Sequence, residues 1–417
     1  MTELNTMEEV PSYVENQRNR CRGCGRDYLS KVLDLGNQAI VKFKSSPEEK
    51  DDYSPLTLVK CEDCQLVQLL HTVPPERLFS QFHYLSGINQ SMNEALFDVV
   101  QDVEKRIQLK PGDYVVDIGS NDGTMLSYYR TYVNKIGFEP ARNIISGWQE
   151  TGRIQVIGGF FNAKALQTFT QQKPKVVTAI AMFYDLDDPN KFCKDVYEIL
   201  ADDGIFVIQM NDLDRMIDNL SIDNICHEHL CYYSRSTLQP ILERAGLYIT
   251  HISYNQTNGG SIRVVCAKKS PLKIIPPENP DWNDFLNRFN VEKKRLLRYI
   301  NSEIKKGHSI WGYGASTRGN TLLQLLGLDW SKIFAIADRN PKKWGKCTAG
   351  GDIQIMSEEK MREAQPDNLL VLPYYFEREF LEREFEYLKN GGRMLFPLPT
   401  FRIITMENGA FVVHGLS

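Results

Sequence analysis

The chain has 417 residues, with 49 Lys and Arg against 53 Asp and Glu, for a formal charge of −4. That length predicts two or three domains, and the slightly acidic balance argues against the broad basic footprint of a nucleic-acid binder. Hydrophobic residues make up 42%, enough for several cores, yet no apolar run approaches the roughly 20 residues that cross a bilayer.

In chain order, the opening MTELNTMEEVPSYVENQ is acidic and has no apolar core, so no signal peptide, no membrane partner and a cytoplasmic location are expected. Four of the nine cysteines then form two tight pairs, Cys21 and Cys24 in CRGC, Cys61 and Cys64 in CEDC. Two CxxC pairs held by a loop build a closed tetrahedral zinc site. Disulfides or a redox CxxC fit less well with an odd cysteine total and no leader. A zinc with four thiolates has no open position, so it is scaffolding.

Met92, Leu96, Val99, Val100, Val103 and Ile107 follow a helical stripe. From Asp113 the pattern becomes strands alternating with helices: YVVDI (114–118), KIGFE (135–139), RIQVI (153–157), KVVTAIAM (175–182) and GIFVIQ (204–209). That alternation predicts a parallel α/β sheet. A long amphipathic helix is expected from Trp282 to Ile304, with Phe285, Phe289, Leu296, Ile300 and Ile304 on its apolar face. Strand–helix alternation then restarts at HSIWGYGASTRGNT.

VVDIGSNDG (115–123) is a strand ending in Asp117 and running into a loop with Gly119, Ser120, Asn121, Asp122 and Gly123. It lacks the GxGxxG of a pyrophosphate cradle and is closer to the loop of class I S-adenosylmethionine enzymes. Glu139 ends the next strand, 22 residues after Asp117, where an acid can accept from both ribose hydroxyls.

CHEHLCYYS (226–234) puts His227 and His229 around Glu228, with Tyr232 just beyond. Alternation places the two histidines on one face of an extended segment. The pair reads as a zinc HxH, as a solvated surface turn, or as a source of a general base near neutrality. NGGSIRVV (258–265) offers Asn258, Gly260, Ser261 and the fork of Arg263, suited to carboxylate or phosphate, or else a hairpin with a solvated arginine. WGYGASTRGNT carries Gly312, Gly314, Ser316, Arg318 and Gly319 at GxGxxxxG spacing, with Asp338 where a ribose-binding acid would lie. Read alone it fits an NAD-linked oxidoreductase. Equally, its helix N-terminus fits the diphosphate of a nucleotide sugar, with Arg318 assisting.

Together these motifs resemble the three-domain sugar C-methyltransferase family, which acts on nucleotide-linked 4-keto-deoxysugars. The resemblance runs from Cys21 to about Ile404 through the four cysteines, HYLSGINQSM, VVDIGSNDG, GFEP, HEHLCYYS, NGGSIR, GYGASTRGNT and ADRNPKKWG. It implies an α/β chain of three parts: a zinc-binding module (15–75), a class I methyltransferase domain with a Rossmann-like sheet (76–240), and a second Rossmann-like domain (241–417) that binds the sugar nucleotide. It further implies S-adenosylmethionine and structural zinc as cofactors. His229 would be the base, with Glu228 and Tyr84 at the reaction centre. Asp117, Gly119, Asn121, Asp122, Gly123 and Glu139 would hold the cofactor. Tyr184, His227, Tyr232, Asn258, Gly260, Ser261, Arg263, Gly314, Ser316 and Arg318 would meet the substrate.

The chain departs from the family in having Cys226 where relatives carry tyrosine, MFYDLDDP around Tyr184 and Asp185 where they carry histidine, and Gln209 in place of an acid. Methylation at C3 is the expectation. O-methylation of a nucleotide sugar or glycan and NAD-dependent oxidation are the alternatives. A monomer is expected, a dimer being the alternative.

Overall fold

The computed structural model describes residues 17–147, 154–269 and 280–415. The acidic opening segment, Arg153 of RIQVI, and the outer ends of the first and last expected domains (15–16 and 416–417) lie outside the described residues.

The N-terminal module is an antiparallel sheet of Leu29–Ala39, Tyr53–Cys61 and Val67–Leu69 around Leu33, Leu56, Leu58 and Leu66. Its fourth strand comes from far along the chain. Cys231–Tyr232 joins the edge opposite Val67 and Gln68, which nothing local in HEHLCYYS foretold.

Seven strands make the central sheet, in the order 248–255, 261–267, 205–211, 176–180, 114–118, 134–139, 154–158. The five from Ile205–Asn211 to Ile154–Gly158 are parallel, and Tyr248–Asn255 with Ser261–Ala267 forms an antiparallel hairpin on one edge. Tyr114–Ile118 is almost wholly buried, as its unbroken apolar run requires of a strand covered on both faces. Helix Gln90–Arg106 packs the expected stripe, Met92 through Val103, against the sheet, while Ile107 is already extended at its C-terminal end.

The hairpin corrects the expected boundary at 240/241: NGGSIR belongs to the central sheet. A hairpin's own residues specify its turn and alternation, but not which sheet edge it joins.

The C-terminal sheet repeats this plan, in the order 355–357, 336–338, 310–313, 368–371, 393–396, 402–407, 410–415, with five parallel strands and an antiparallel hairpin. Helix Trp282–Lys305 covers it, begun by Asp281, whose carboxylate accepts from the amides of Asn283 and Asp284. Ile304 departs from the expected stripe and faces solvent, 38% exposed, because Glu303 takes the inward place on an ion pair with Arg393 at 2.7 Å. One hydrophobic cluster runs through all three modules, from Leu33 through Phe183 to Phe401.

Candidate functional site

The four cysteines converge. Cys21 and Cys64 sulfurs are 3.5 Å apart, as are Cys24 and Cys61, and all four lie within 4.8 Å of one another. A tetrahedron with Zn–S of about 2.3 Å has edges of about 3.8 Å, so the cage fits zinc with little adjustment. The Gly23 amide and the Gln68 side chain donate to the Cys21 sulfur at 3.3 and 3.1 Å. The hydrogen bond from Cys64, then these donors, hold the Cys21 thiol far below its ordinary range despite burial. Such donors suit a thiolate ligand.

In the central sheet the chain reverses between Tyr114–Ile118 and Val176–Ile180, the switch point where open α/β sheets bind ligands. Gly119 and Gly123 both have φ of 75°, which side chains avoid. A Cβ on Gly119 would sit 3.2 Å from Met182. Glu139 receives the Asn121 and Ala141 amides at 2.9 and 2.8 Å, which ties the loop to the next strand. Burial raises its carboxyl, against those two hydrogen bonds. Burial also pushes Asp117 up to about 7, although Thr178 donates to it at 2.7 Å.

Asn121 and Asp122 point elsewhere. Asn121 accepts from the Ser86 amide and donates to the Tyr84 carbonyl, and Asp122 accepts from the Gly87 amide at 2.8 Å. They strap residues 84–87 across the glycine loop. The strap's far side is held by the C-terminal domain, where Asn340 donates to the His83 carbonyl and Arg339 to that of Ile88. Tyr84 is thus fixed between the two large domains, and burial raises its phenol well above the usual range.

Within CHEHLCYYS, residues 226–229 form a turn where an extended segment was expected: the His229 amide bonds back to the Cys226 carbonyl at 3.1 Å. Its two histidines therefore diverge. His227 pairs its Nε2 with the Ser54 carbonyl of the zinc module at 3.0 Å. Glu228 comes within 3.5 Å of the Thr317 hydroxyl, at the start of helix Thr317–Leu326 in the C-terminal domain. His229 packs on the Tyr184 ring of the central domain, centroids 4.2 Å apart, with Nδ1 2.8 Å from the Asn224 carbonyl. Three consecutive residues meet three modules.

Burial, then the Arg318 charge, drives His229 down to about 3, so the imidazole is neutral. With Nδ1–H given to the carbonyl, Nε2 keeps its lone pair. Burial pushes Glu228 up to about 8 and raises Asp185 well above the carboxylate range. Tyr232 lies beside them, its hydroxyl 3.5 Å from the Asn224 carbonyl.

Arg318 and Arg263 have different fates. Arg318 reaches from the second glycine loop onto this turn, donating to Asp223 at 2.8 Å and to the Asn258 carbonyl at 2.7 Å, with its guanidinium stacked 4.4 Å from the Tyr375 ring centroid. Its other nitrogen, Nη2, is buried without a hydrogen-bond partner. Arg263, expected to meet substrate, is occupied on the other side by Gln209, Asp98 and Asp102. The same bond absorbs Gln209, which also accepts from Asn255.

Asn258 adopts a left-handed φ of 53°, and Gly260, at φ of 124°, has no room for a Cβ beside Arg215. Ser261 caps this turn through the Thr257 carbonyl. In the second glycine loop Gly314 abuts Pro373, and Ser316 caps its helix by accepting the Gly319 amide at 2.9 Å. Asp338 accepts from the amides of Ala315 and Asn340 at 2.8 Å each, as Glu139 does in the first loop.

Asp223, Asn224, Tyr374 and Tyr375 were missed from sequence. Asp223 and Asn224 were visible as a polar pair inside the apolar run LSIDNIC, and Tyr374 and Tyr375 as aromatics just past a strand's carboxyl end.

Three family models match in succession: a zinc binding domain over residues 21–79, a methyltransferase domain over 88–252, and a C-methyltransferase C-terminal domain over 276–399. The C-methyltransferase NovU of Streptomyces niveus is 28% identical over 410 residues, 94% of this chain and 98% of its own length. Among solved structures, an S-adenosylmethionine-dependent methyltransferase from Clostridium acetobutylicum matches 44% of this chain and 94% of its own at 12% identity and a TM-score of 0.33. The plantazolicin methyltransferase BamL, solved with S-adenosylhomocysteine, matches 43% of this chain and 87% of its own at 11% identity and 0.35. With all three domain models in order and a C-methyltransferase aligned over nearly its whole length, this chain is an S-adenosylmethionine-dependent methyltransferase with an N-terminal zinc-binding module, similar along its length to a C-methyltransferase.

Proposed function

We propose that the protein methylates C3 of a nucleotide-linked 4-keto-deoxysugar, with His229 as the base. The state of the His229 ring carries this reading. Its Nδ1 is held on the Asn224 carbonyl and its face rests on Tyr184, which follows the strand beside the switch point, so Nε2 is the one basic atom the ring offers. A ketone at C4 acidifies the C3 proton, and its transfer to Nε2 leaves an enolate whose carbon is the nucleophile. S-adenosylmethionine, when bound, supplies the methyl on its sulfonium. The chain's task is then to align base, carbon and methyl and to exclude water.

In this reading the loop from Asp117 to Gly123 and Glu139 hold the cofactor, with Asn121 and Asp122 acting through the strap that carries Tyr84. The sugar lies against Tyr184, Tyr232 and Glu228. Its nucleotide runs toward the turn Asn258–Ser261 and the loop Gly314–Arg318, where Arg318 Nη2 has a donor to spare. His227 and Arg263 support the site from outside it.

The test is proton exchange by NMR in heavy water, with a panel of nucleotide-linked 4-keto-6-deoxysugars and S-adenosylhomocysteine in place of the methyl donor. The C3 signal should disappear with the native protein. His229→Asn should bind S-adenosylhomocysteine and lose at least about 100-fold in exchange, the low end of general-base effects. Undiminished exchange in that variant dismisses His229. No exchange with any sugar, despite binding, turns the assignment to O-methylation.

A further inference from the structure

The catalytic turn has the build of a metal knuckle. In the four-cysteine centre each leading sulfur receives the main-chain amides two and three residues on: Gly23 and Cys24 toward Cys21, Asp63 and Cys64 toward Cys61. At Cys226 the amides of Glu228 and His229 likewise lie beside the sulfur, the His229 amide bonding to the Cys226 carbonyl at 3.1 Å. Where those knuckles place a second cysteine, this turn places His229, so it reads Cys-x-x-His.

Other observations agree. The Cys226 sulfur, a Glu228 oxygen and a His229 ring nitrogen all lie within 4.8 Å of one another. The bond between His229 Nδ1 and the Asn224 carbonyl, 2.8 Å, is the second-shell support that metal-bound histidines almost always have. Asp185, which feels the Glu228 charge and itself acts on Cys226, has a buried carboxylate oxygen with no hydrogen-bond partner. The HxH reading of this motif had the wrong pair, since His227 is committed to Ser54.

We propose that Cys226, Glu228 and His229 form a second zinc site, with its fourth position open. One sulfur, one oxygen and one nitrogen ligand suit zinc, and three protein ligands leave the coordination of a non-structural site. A thiolate and a carboxylate also cancel the charge of the ion, which favours it in a buried setting. The consequence, which rests on His229 being the base, is inhibition. Metal and substrate proton need the same Nε2 lone pair, so the metal-filled protein cannot abstract the proton.

The full chain, dialysed against zinc and freed of loose metal by gel filtration, should hold two zinc ions. Its zinc-edge X-ray absorption should show nitrogen or oxygen near about 2.0–2.1 Å beside sulfur near about 2.3 Å. Cys226→Ser and, separately, Glu228→Gln should return to one zinc with a sulfur-only shell; either variant suffices if the other misfolds. One zinc with a sulfur-only shell in the native protein overturns the site, as do two zinc ions in both variants. In the exchange assay, one further equivalent of zinc should silence the native protein. Two bound zinc ions with exchange undiminished would keep the metal site and remove His229 as the base.

Discussion

Gln68 and Cys231 are register partners across the joint between the zinc module and the segment that carries His229, and the Gln68 side chain donates to the Cys21 sulfur at 3.1 Å. The Leu69 amide adds a bond to the Leu230 carbonyl at 2.9 Å, one residue beyond His229. The four-cysteine centre is thereby joined to the turn that carries the candidate base. Gln68→Ala removes that link and also strips an acceptor from the Arg22 amide. Losses of this kind cost about 10–100-fold in metal affinity or activity. Calorimetry with S-adenosylhomocysteine should show cofactor binding preserved while methyl transfer falls in that range. Unchanged transfer would mean that the link carries nothing.

Asp223 is wholly buried between two modules, with Arg318 at 2.8 Å and the Tyr374 hydroxyl at 2.7 Å on its two oxygens. Asp223→Ala leaves the Arg318 cation buried without its counter-charge, at a cost of about 3–5 kcal/mol. The thermal transition should fall by several degrees, and Asp223→Ala with Arg318→Met should recover part of it. A single substitution as mild as a surface change would rule out an anchoring role.

Burial alone would raise the Glu303 carboxyl, but hydrogen bonds from Lys306 and His308 and the Arg393 charge outweigh it and bring it from the usual 4.5 down to about 2. A carboxyl lower in the folded than in the unfolded chain stabilises above the unfolded value, and that stability is lost as pH falls through the folded value. Melting temperatures of native protein and Glu303→Gln should therefore differ most at neutral pH and converge between pH 4.5 and 2. A gap that stays constant over that window would contradict this origin.

Gly314 has φ of 86°, and a Cβ there would meet Pro373 at 2.6 Å, whereas Gly327 has φ of 69° with open space around it. Both alanine substitutions incur left-handed backbone strain, of order 1–3 kcal/mol, and only Gly314→Ala adds a clash. Denaturation should rank Gly314→Ala clearly below Gly327→Ala. Equal effects would show that the loop yields without cost.

Much of the architecture was legible. The cysteine spacing, the apolar strand runs from Tyr114 to Gln209 and the stripe Met92–Val103 are local patterns, and each became the expected element. His229 stands out in the sequence only as a candidate base, because few residue types take up a proton near neutrality. The two arginines could not be ranked. Arg263 and Arg318 are chemically alike in sequence, yet one is consumed by Gln209, Asp98 and Asp102 while the other keeps a buried donor.

By itself, then, the sequence determined which segments bury which face and where the chain turns, because the periods of strand and helix and the geometry of glycine are short-range properties. Only the tertiary structure decided that Cys231–Tyr232 completes the zinc module's sheet, that Tyr248–Ala267 extends the central one, and that His227, Glu228 and His229 each face a different module. Those outcomes depend on which distant surfaces pack together. A side chain's partner is set by that packing, over separations at which neither hydrophobic period nor motif spacing carries information.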